Sequence, residues 1–306
     1  MSTTFAIEED RLMQELSASL MNEVVGAVGL PKNKLTRALS WQLVGKPASL
    51  LARIGVTFER SIAEEGLPKA CAWSLTHFCN PARMTIEEEI PQEGPLLLAA
   101  NHPGASDVLL YTAMLKRKDV RWIATEIPFL RMLPQASRHI FYVDREDMSS
   151  RSTALRQLAR HLKNGGVMVY LASGHRDPDP AVFPGAEKGM DEWLKVYELL
   201  YRYVPDLKVQ PVLASGVVSE QWARHGITRL RRKQIDRHRL AEFGQVISQL
   251  LHPGKLLVTP AVSVGKAVSL ADLESGYTSA DITSGVVALA KQLLQAHVRR
   301  YGCAYL

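Results

Sequence analysis

The stretch LLLAANHPGASDVLLY, residues 96–111, decides how this chain folds. Leu96 to Ala100 form an unbroken apolar run, as in a strand buried on both faces. Asn101-His102-Pro103-Gly104 ends that run abruptly, and an apolar helical pattern then begins at Val108. Pro103 and Gly104 argue against a helix through this stretch. In a continuous helix, five steps of about 100° would also leave His102 and Asp107 well apart around the axis. The natural reading is strand, tight turn, helix, with Ser106 or Asp107 near the helix N-cap and Asp107 folded back towards His102. Such a turn lies beyond the carboxyl end of a strand, where open α/β sheets bind ligands.

Working outward, the same alternation recurs. VRWIATE (120–126), IFYVDR (140–145), GVMVYLAS (166–173), LKVQPVLASGV (207–217) and KLLVTPAVSV (255–264) read as strands. Between them, SSRSTALRQLARHLKNGG (149–166) shows a helical face at Leu155, Leu158 and Leu162 and an end at Gly165. SADITSGVVALAKQLLQAHVRRY (279–301) reads as the last helix. This pattern predicts an α/β fold with a largely parallel sheet flanked by helices. Residues 1–90 differ in texture. EDRLMQELSASLMNEVVGAV (9–28) has helical spacing, Gly29 and Pro31 break it, and ASLLARIGVTFERSIAEE (48–65) resumes it before Gly66 and Pro68. The expected organisation is an N-terminal helical region, 1–90, packed on an α/β domain, 91–306.

With 306 residues, 46% apolar and 22% charged, the chain can build one sizeable core, and no repeat or low-complexity tract suggests otherwise. MSTTFAIEEDRLMQEL lacks the features of a secretory signal, and no window approaches the ~18 apolar residues of a membrane span. KPASLLARIGVTF is interrupted by Arg53 and Gly55. A cytoplasmic location is expected, with peripheral attachment at the inner face of a membrane left open. Cys71, Cys79 and Cys303 have no paired spacing, so they read as reduced thiols rather than a disulfide framework or metal site.

The net charge of +6 and a pI of about 9.2 favour acidic partners. The charge concentrates in RHGITRLRRKQIDRHR, residues 224–239, with seven Lys or Arg and one acid. That run is either a solvated surface or a face towards something anionic. It lacks interleaved aromatics and any recognisable motif, which excludes nucleic acid as the expected partner. AVSVG (261–265) and PAVSVGK (260–266) each lack the first glycine that a serine-hydrolase elbow or a phosphate loop needs.

A histidine held by a carboxylate is a general base: the carboxylate fixes the tautomer and stabilises the imidazolium. With no serine nucleophile in view, such a base activates a substrate hydroxyl directly. The other reading of the same residues is a capped helix start with His102 a partly buried polar residue.

NHPGASD resembles the His-x-x-x-x-Asp signature of the glycerolipid acyltransferase family, which includes glycerol-3-phosphate and lysophosphatidate acyltransferases. Three further blocks follow in that family's order. IFYVDRED resembles the second, where a strand delivers a basic residue; VYLASGHRDPDP resembles the third, which supplies an Arg; QPVLASGV resembles the fourth. The resemblance spans roughly residues 80–220. The common bacterial third block is Phe-Pro-Glu-Gly-Thr-Arg, whereas Ser173 stands here in place of Glu. Ser-Gly-x-Arg-Asp followed by Pro-Asp is closer to the soluble plastid-type glycerol-3-phosphate acyltransferases, which also carry a helical N-terminal region. Two departures bear on the acceptor. Pro178 occupies the place of a second basic residue, and Arg145 is followed by Glu146 and Asp147 rather than by Lys and His.

The resemblance implies transfer of a fatty acyl chain from a thioester, acyl-ACP or acyl-CoA, to the hydroxyl of glycerol-3-phosphate or lysophosphatidate in phospholipid synthesis. It implies His102 as base, Asp107 as its orienting partner, and Arg145 and Arg176 as phosphate ligands through guanidinium forks. Ser173, Gly174 and His175 would complete the substrate site, Gly174 by letting backbone approach the ligand. Backbone N–H groups after His102 or at the start of the following helix are the expected oxyanion donors. Neither a metal nor a cofactor beyond the acyl co-substrate is implied. An acidic acyl carrier protein or an anionic membrane is the expected partner for residues 224–239. The competing expectations are a non-catalytic lipid- or carrier-binding protein on the same fold, and an acyltransferase for another hydroxylated lipid.

Overall fold

The computed structural model describes residues 10–21, 34–276 and 281–302. Three helices come first: α1 (10–21), α2 (Lys34–Glu65) and α3 (Leu67–Leu75). The strands are β1 (Arg83–Ile86), β2 (Leu96–Ala100), β3 (Val120–Thr125), β4 (Ile140–Val143), β5 (Val167–Leu171), β6 (Lys208–Ser215) and β7 (Ala261–Val264). Between β2 and β5 lie α4 (Asp107–Ala113), α5 (Pro128–Arg131), α6 (Pro134–Ser137) and α7 (Met148–Lys163). After β5 come α8 (Ala186–Gly189), α9 (Tyr197–Tyr203), α10 (Glu220–Ala223), α11 (Gln234–Leu251), α12 (Leu270–Gly276) and α13 (Ile282–Tyr301).

The seven strands form one sheet in the order β1-β7-β6-β2-β5-β3-β4. Every pair is parallel except β6 with β7. All five residues of β2 are buried, and strand alternation divides them between two cores. Leu96, Leu98 and Ala100 enter one core with Leu67, Val120 and Val169; Leu97 and Ala99 enter the other with Leu158, Met168 and Leu213. This is why β2 reads as an unbroken apolar run rather than an alternating one.

Two boundaries differ from the expectation. The N-terminal helices end at Leu75, and Arg83–Ile86 already belongs to the sheet, so the change of texture falls before residue 83 rather than near 90. Leu16, Ala52 and Phe58 also share one core with Leu96, Leu98 and Val120, so the helical region is a layer of that core. Helix α2 runs upstream through Pro47. Residues 22–28 of the first expected helix, the Gly29/Pro31 break and Cys303 lie outside the described residues. Cys71 and Cys79 are buried free thiols, and burial pushes the Cys79 thiol up to about 11.

Asn101 locks the carboxyl end of β2. Its Nδ2 donates to the Ala214 carbonyl at 2.9 Å, and its Oδ1 accepts from Ala214 N–H at 2.9 Å and from the Tyr111 hydroxyl at 2.7 Å. The amide thus joins β2, β6 and α4 in a buried place. Asn101→Ala strands these partners, and a loss of about 3 kcal/mol in unfolding free energy is expected from urea titration.

Candidate active site

The turn after β2 brings the two residues of the opening stretch together. His102 Nδ1 lies 2.8 Å from Asp107 Oδ2. Asp107 is fully buried, while the His102 side chain keeps 22% of its surface exposed. The Gly104 N–H donates to the same Oδ2 at 2.9 Å, so the turn closes on one carboxylate oxygen. Gly104 is required by space as well: a Cβ there would lie 2.5 Å from Val217 Cγ1.

The loop after β5 packs directly against this turn. The His102 N–H donates to Asp177 Oδ2 at 2.7 Å, and the Asp177 N–H donates back to the His102 carbonyl at 2.9 Å. Burial pushes the Asp177 carboxyl up to about 6, against the His102 and Ser173 hydrogen bonds. Ser173 is buried, with Oγ 2.7 Å from the His175 carbonyl and 3.1 Å from Asp177 Oδ2, so its hydroxyl is engaged within the loop. Gly174 takes the left-handed conformation, φ 69°, that turns the chain here. His175 points its Nε2 at Glu192 Oε2, 2.8 Å away, at the exposed side of the loop. Asp179, also fully buried, accepts from the N–H groups of Ala181, Gly216, Val217 and Val218 and so ties this loop to the end of β6.

Arg176 is ion-paired. Its Nη2 lies 3.1 Å from Glu242 Oε2, and its Nη1 donates to Glu242 Oε1 at 3.1 Å. Glu242 belongs to α11, is 9% exposed, and also accepts from the Ala105 N–H. Burial raises its carboxyl above the ordinary value while Arg176 opposes the rise. One turn earlier on α11, His238 Nε2 donates to the Pro103 carbonyl at 2.8 Å, with its ring stacked on Phe183. The N–H groups of Gly104 and Ala105 are committed to Asp107 and Glu242, which removes them from the expected oxyanion donors.

A cavity of about 880 Å³ opens at His102. Its walls are mainly apolar: Leu51, Ile54 and Phe58 from α2, Val108 and Leu109 from α4, and Phe129 and Leu133 around α5 and α6. Cations line it too. Arg145, from the loop after β4, is exposed and makes no hydrogen bond or ion pair with described residues. Its acidic neighbours are engaged elsewhere, Asp144 with the Glu146 N–H and Asp147 as the cap of α7. Arg151 and Lys195 join it. Ser173, Gly174, His175 and Arg176 line the same cavity, so every site residue expected from the sequence borders it except Asp107, which lies behind His102.

Sequence reasoning missed Glu242, His238, Arg151 and Lys195. Glu242 carries no local signal, because its partners lie 137 and 66 positions away. Asp177 and Asp179 stand in the sequence only as members of the third block, VYLASGHRDPDP, with no role of their own. Among the described residues no three His, Cys, Asp or Glu side chains are grouped to hold a metal.

His238 provides a test of the clamp. Burial, helped by nearby Arg176, pushes its imidazole from 6.5 down to about 4, so the folded chain keeps it neutral. Below 6.5 the unfolded chain takes up a proton that the folded chain refuses, and stability is lost as pH falls towards about 4. His238→Gln keeps a donor for Pro103 but does not titrate. Between neutral pH and about pH 4, the unfolding free energy of the wild type should fall relative to the variant by on the order of 3 kcal/mol in urea titrations.

Comparison with known proteins bears on these same residues. Residues 82–192 match the family model described as Acyltransferase. No curated protein matches the chain. The crystal structure of the 1-acyl-sn-glycerophosphate (LPA) acyltransferase PlsC from Thermotoga maritima aligns with 98% of this chain and 99% of that one, at 14% identity and a TM-score of 0.42. The matched residues, 82–192, contain His102, Asp107, Arg145 and the loop from Ser173 to Arg176, so this part of the chain is similar to the acyltransferase family.

Proposed function

We propose that the protein transfers a fatty acyl chain from acyl carrier protein or CoA to the hydroxyl of a glycerol-phosphate acceptor, glycerol-3-phosphate or lysophosphatidate, in phospholipid synthesis. The observation that carries this reading is the His102 Nδ1–Asp107 Oδ2 contact of 2.8 Å at the edge of a large apolar cavity with cations on its lining. With Nδ1 donating to Asp107, Nε2 is the basic nitrogen. It takes the proton of the acceptor hydroxyl as that oxygen bonds to the thioester carbonyl carbon. Asp107 remains ionised and stabilises the imidazolium. Collapse of the tetrahedral intermediate breaks the C–S bond, and the imidazolium returns its proton to the departing sulfur.

The apolar walls suit the acyl chain. Arg145, Arg151 and Lys195 suit the acceptor phosphate, with Arg176 contributing the donors that Glu242 leaves free. His175, paired with Glu192, would meet the phosphate only by leaving that partner. The reaction is set in the cytoplasm or at the inner face of the membrane; among the described residues no helix is long and apolar enough to cross one.

The direct test offers acyl-ACP and acyl-CoA against glycerol-3-phosphate and lysophosphatidate. Product from one acceptor is expected, with His102→Ala slower by roughly 10²–10⁴-fold. Folded protein inactive on these and on a wider panel of hydroxylated lipids would favour the non-catalytic binding reading.

Gly55 tests the acyl wall. It lines the cavity, and a Cβ there would lie 3.0 Å from Phe129 Cζ, so any larger side chain intrudes. Gly55→Leu should lower kcat/KM for the longest accepted chains by roughly tenfold, the worth of about two buried methylenes, while shorter chains keep theirs.

A further inference from the structure

The basic run does not behave as one surface. At its α11 end His238 turns inward to Pro103, whereas residues 227–233 face solvent apart from Thr228. Gly226–Leu230 form a single 3-10 turn. The buried Thr228 holds it, donating from Oγ to the His225 carbonyl at 2.7 Å. On this turn Leu230 is 78% exposed and Ile227 43% exposed. Around them Arg229, Arg231, Arg232 and Lys233 are exposed and form no ion pair with described residues, whereas Arg224 pairs with Glu220 at 2.9 Å. Leu230 is more exposed than any other large apolar side chain among the described residues, and it stands among four unpaired cations.

We propose that residues 227–233 dock the protein on an anionic lipid bilayer, with Leu230 and Ile227 entering the headgroup–acyl boundary and the four cations meeting lipid phosphates. Cations alone would fit an acidic protein surface equally well. Two apolar side chains raised on a braced turn between them fit an interface that is anionic outside and apolar within. The placement also suits the site. From Gln234, which follows the patch, to Glu242, which holds the His102 turn, α11 rises about 12 Å. The inference deepens the lipid-acceptor reading and rests on it for its purpose. Vesicle binding is read without turnover, so failure to dock and failure to transfer acyl groups are separate results.

The experiment is co-sedimentation of the full chain with vesicles of phosphatidylglycerol and phosphatidylcholine, against vesicles of phosphatidylcholine alone. Binding to the anionic vesicles, weakened by salt, is expected. A variant carrying Arg229→Gln, Arg231→Gln, Arg232→Gln and Lys233→Gln should bind roughly tenfold more weakly or worse, and Leu230→Glu should weaken binding comparably. Both should melt like the wild type and acylate a soluble acceptor at the wild-type rate. No sedimentation of the wild type with anionic vesicles, or equal sedimentation of both variants, would overturn the proposal. Unchanged sedimentation with transfer from acyl carrier protein selectively lost would also overturn it and give the surface to the carrier.

Discussion

One buried carboxylate organises this end of the molecule. Asp107 has no solvent exposure, and a charge in that position is tolerable only where donors converge on it. Two do, His102 Nδ1 and the Gly104 N–H, both on Oδ2. Bringing a backbone donor from three residues upstream forces the chain into a tight turn, and the turn presses Gly104 against Val217 so closely that no side chain fits. Val217 is in turn fixed by Asp179, which accepts its N–H and those of its two neighbours. The His102–Asp107 pair and the Asp-Pro-Asp-Pro loop are therefore parts of one constraint.

Helix α11 closes the same turn from the other side. Glu242 accepts from the Ala105 N–H, and His238 donates a hydrogen bond to the Pro103 carbonyl. Arg176 reaches Glu242 from the cavity wall, and without it Glu242 would be a stranded buried charge. Arg176 thus has a structural commitment besides any substrate contact. Two of its five N–H donors face the carboxylate, and three remain for a ligand.

What the sequence revealed and what it hid divide by range of contact. β2 and the turn after it were legible because a doubly buried strand, a Pro-Gly break and a His-Asp pair are all local signals. The helix end at Gly165 was legible for the same reason: the glycine takes φ 82° just past α7. Strand β1 was not, because Arg83–Ile86 is four residues long, mostly exposed, and placed in the sheet only by pairing with β7 some 180 residues later. The antiparallel turn of β7 against β6 was likewise invisible, since an apolar run carries no direction. Glu242 sits within a helix of ordinary amphipathic spacing, and nothing nearby marks it as the partner of an arginine in another loop. The basic run was seen as a block of charge; its division into a buried histidine and an outward leucine depends on where α11 packs.

The cavity and the proposed docking surface meet in one energetic requirement. If an acyl chain of about twelve methylenes fills the apolar walls, the transfer from water contributes on the order of 10 kcal/mol, far more than an exposed cation–phosphate contact of ~1 kcal/mol or less. In the proposed reaction chain burial would therefore dominate binding, and discrimination between acceptors would fall to Arg145, Arg151, Lys195 and the remaining donors of Arg176. The same term acts on the product. A diacyl or monoacyl lipid released into water would have to return that hydrophobic contribution, and release would be slow. Released into a bilayer, the chain exchanges one apolar environment for another at little cost. If residues 227–233 hold such a surface as proposed, α11 joins it to the His102 turn through Glu242 and His238.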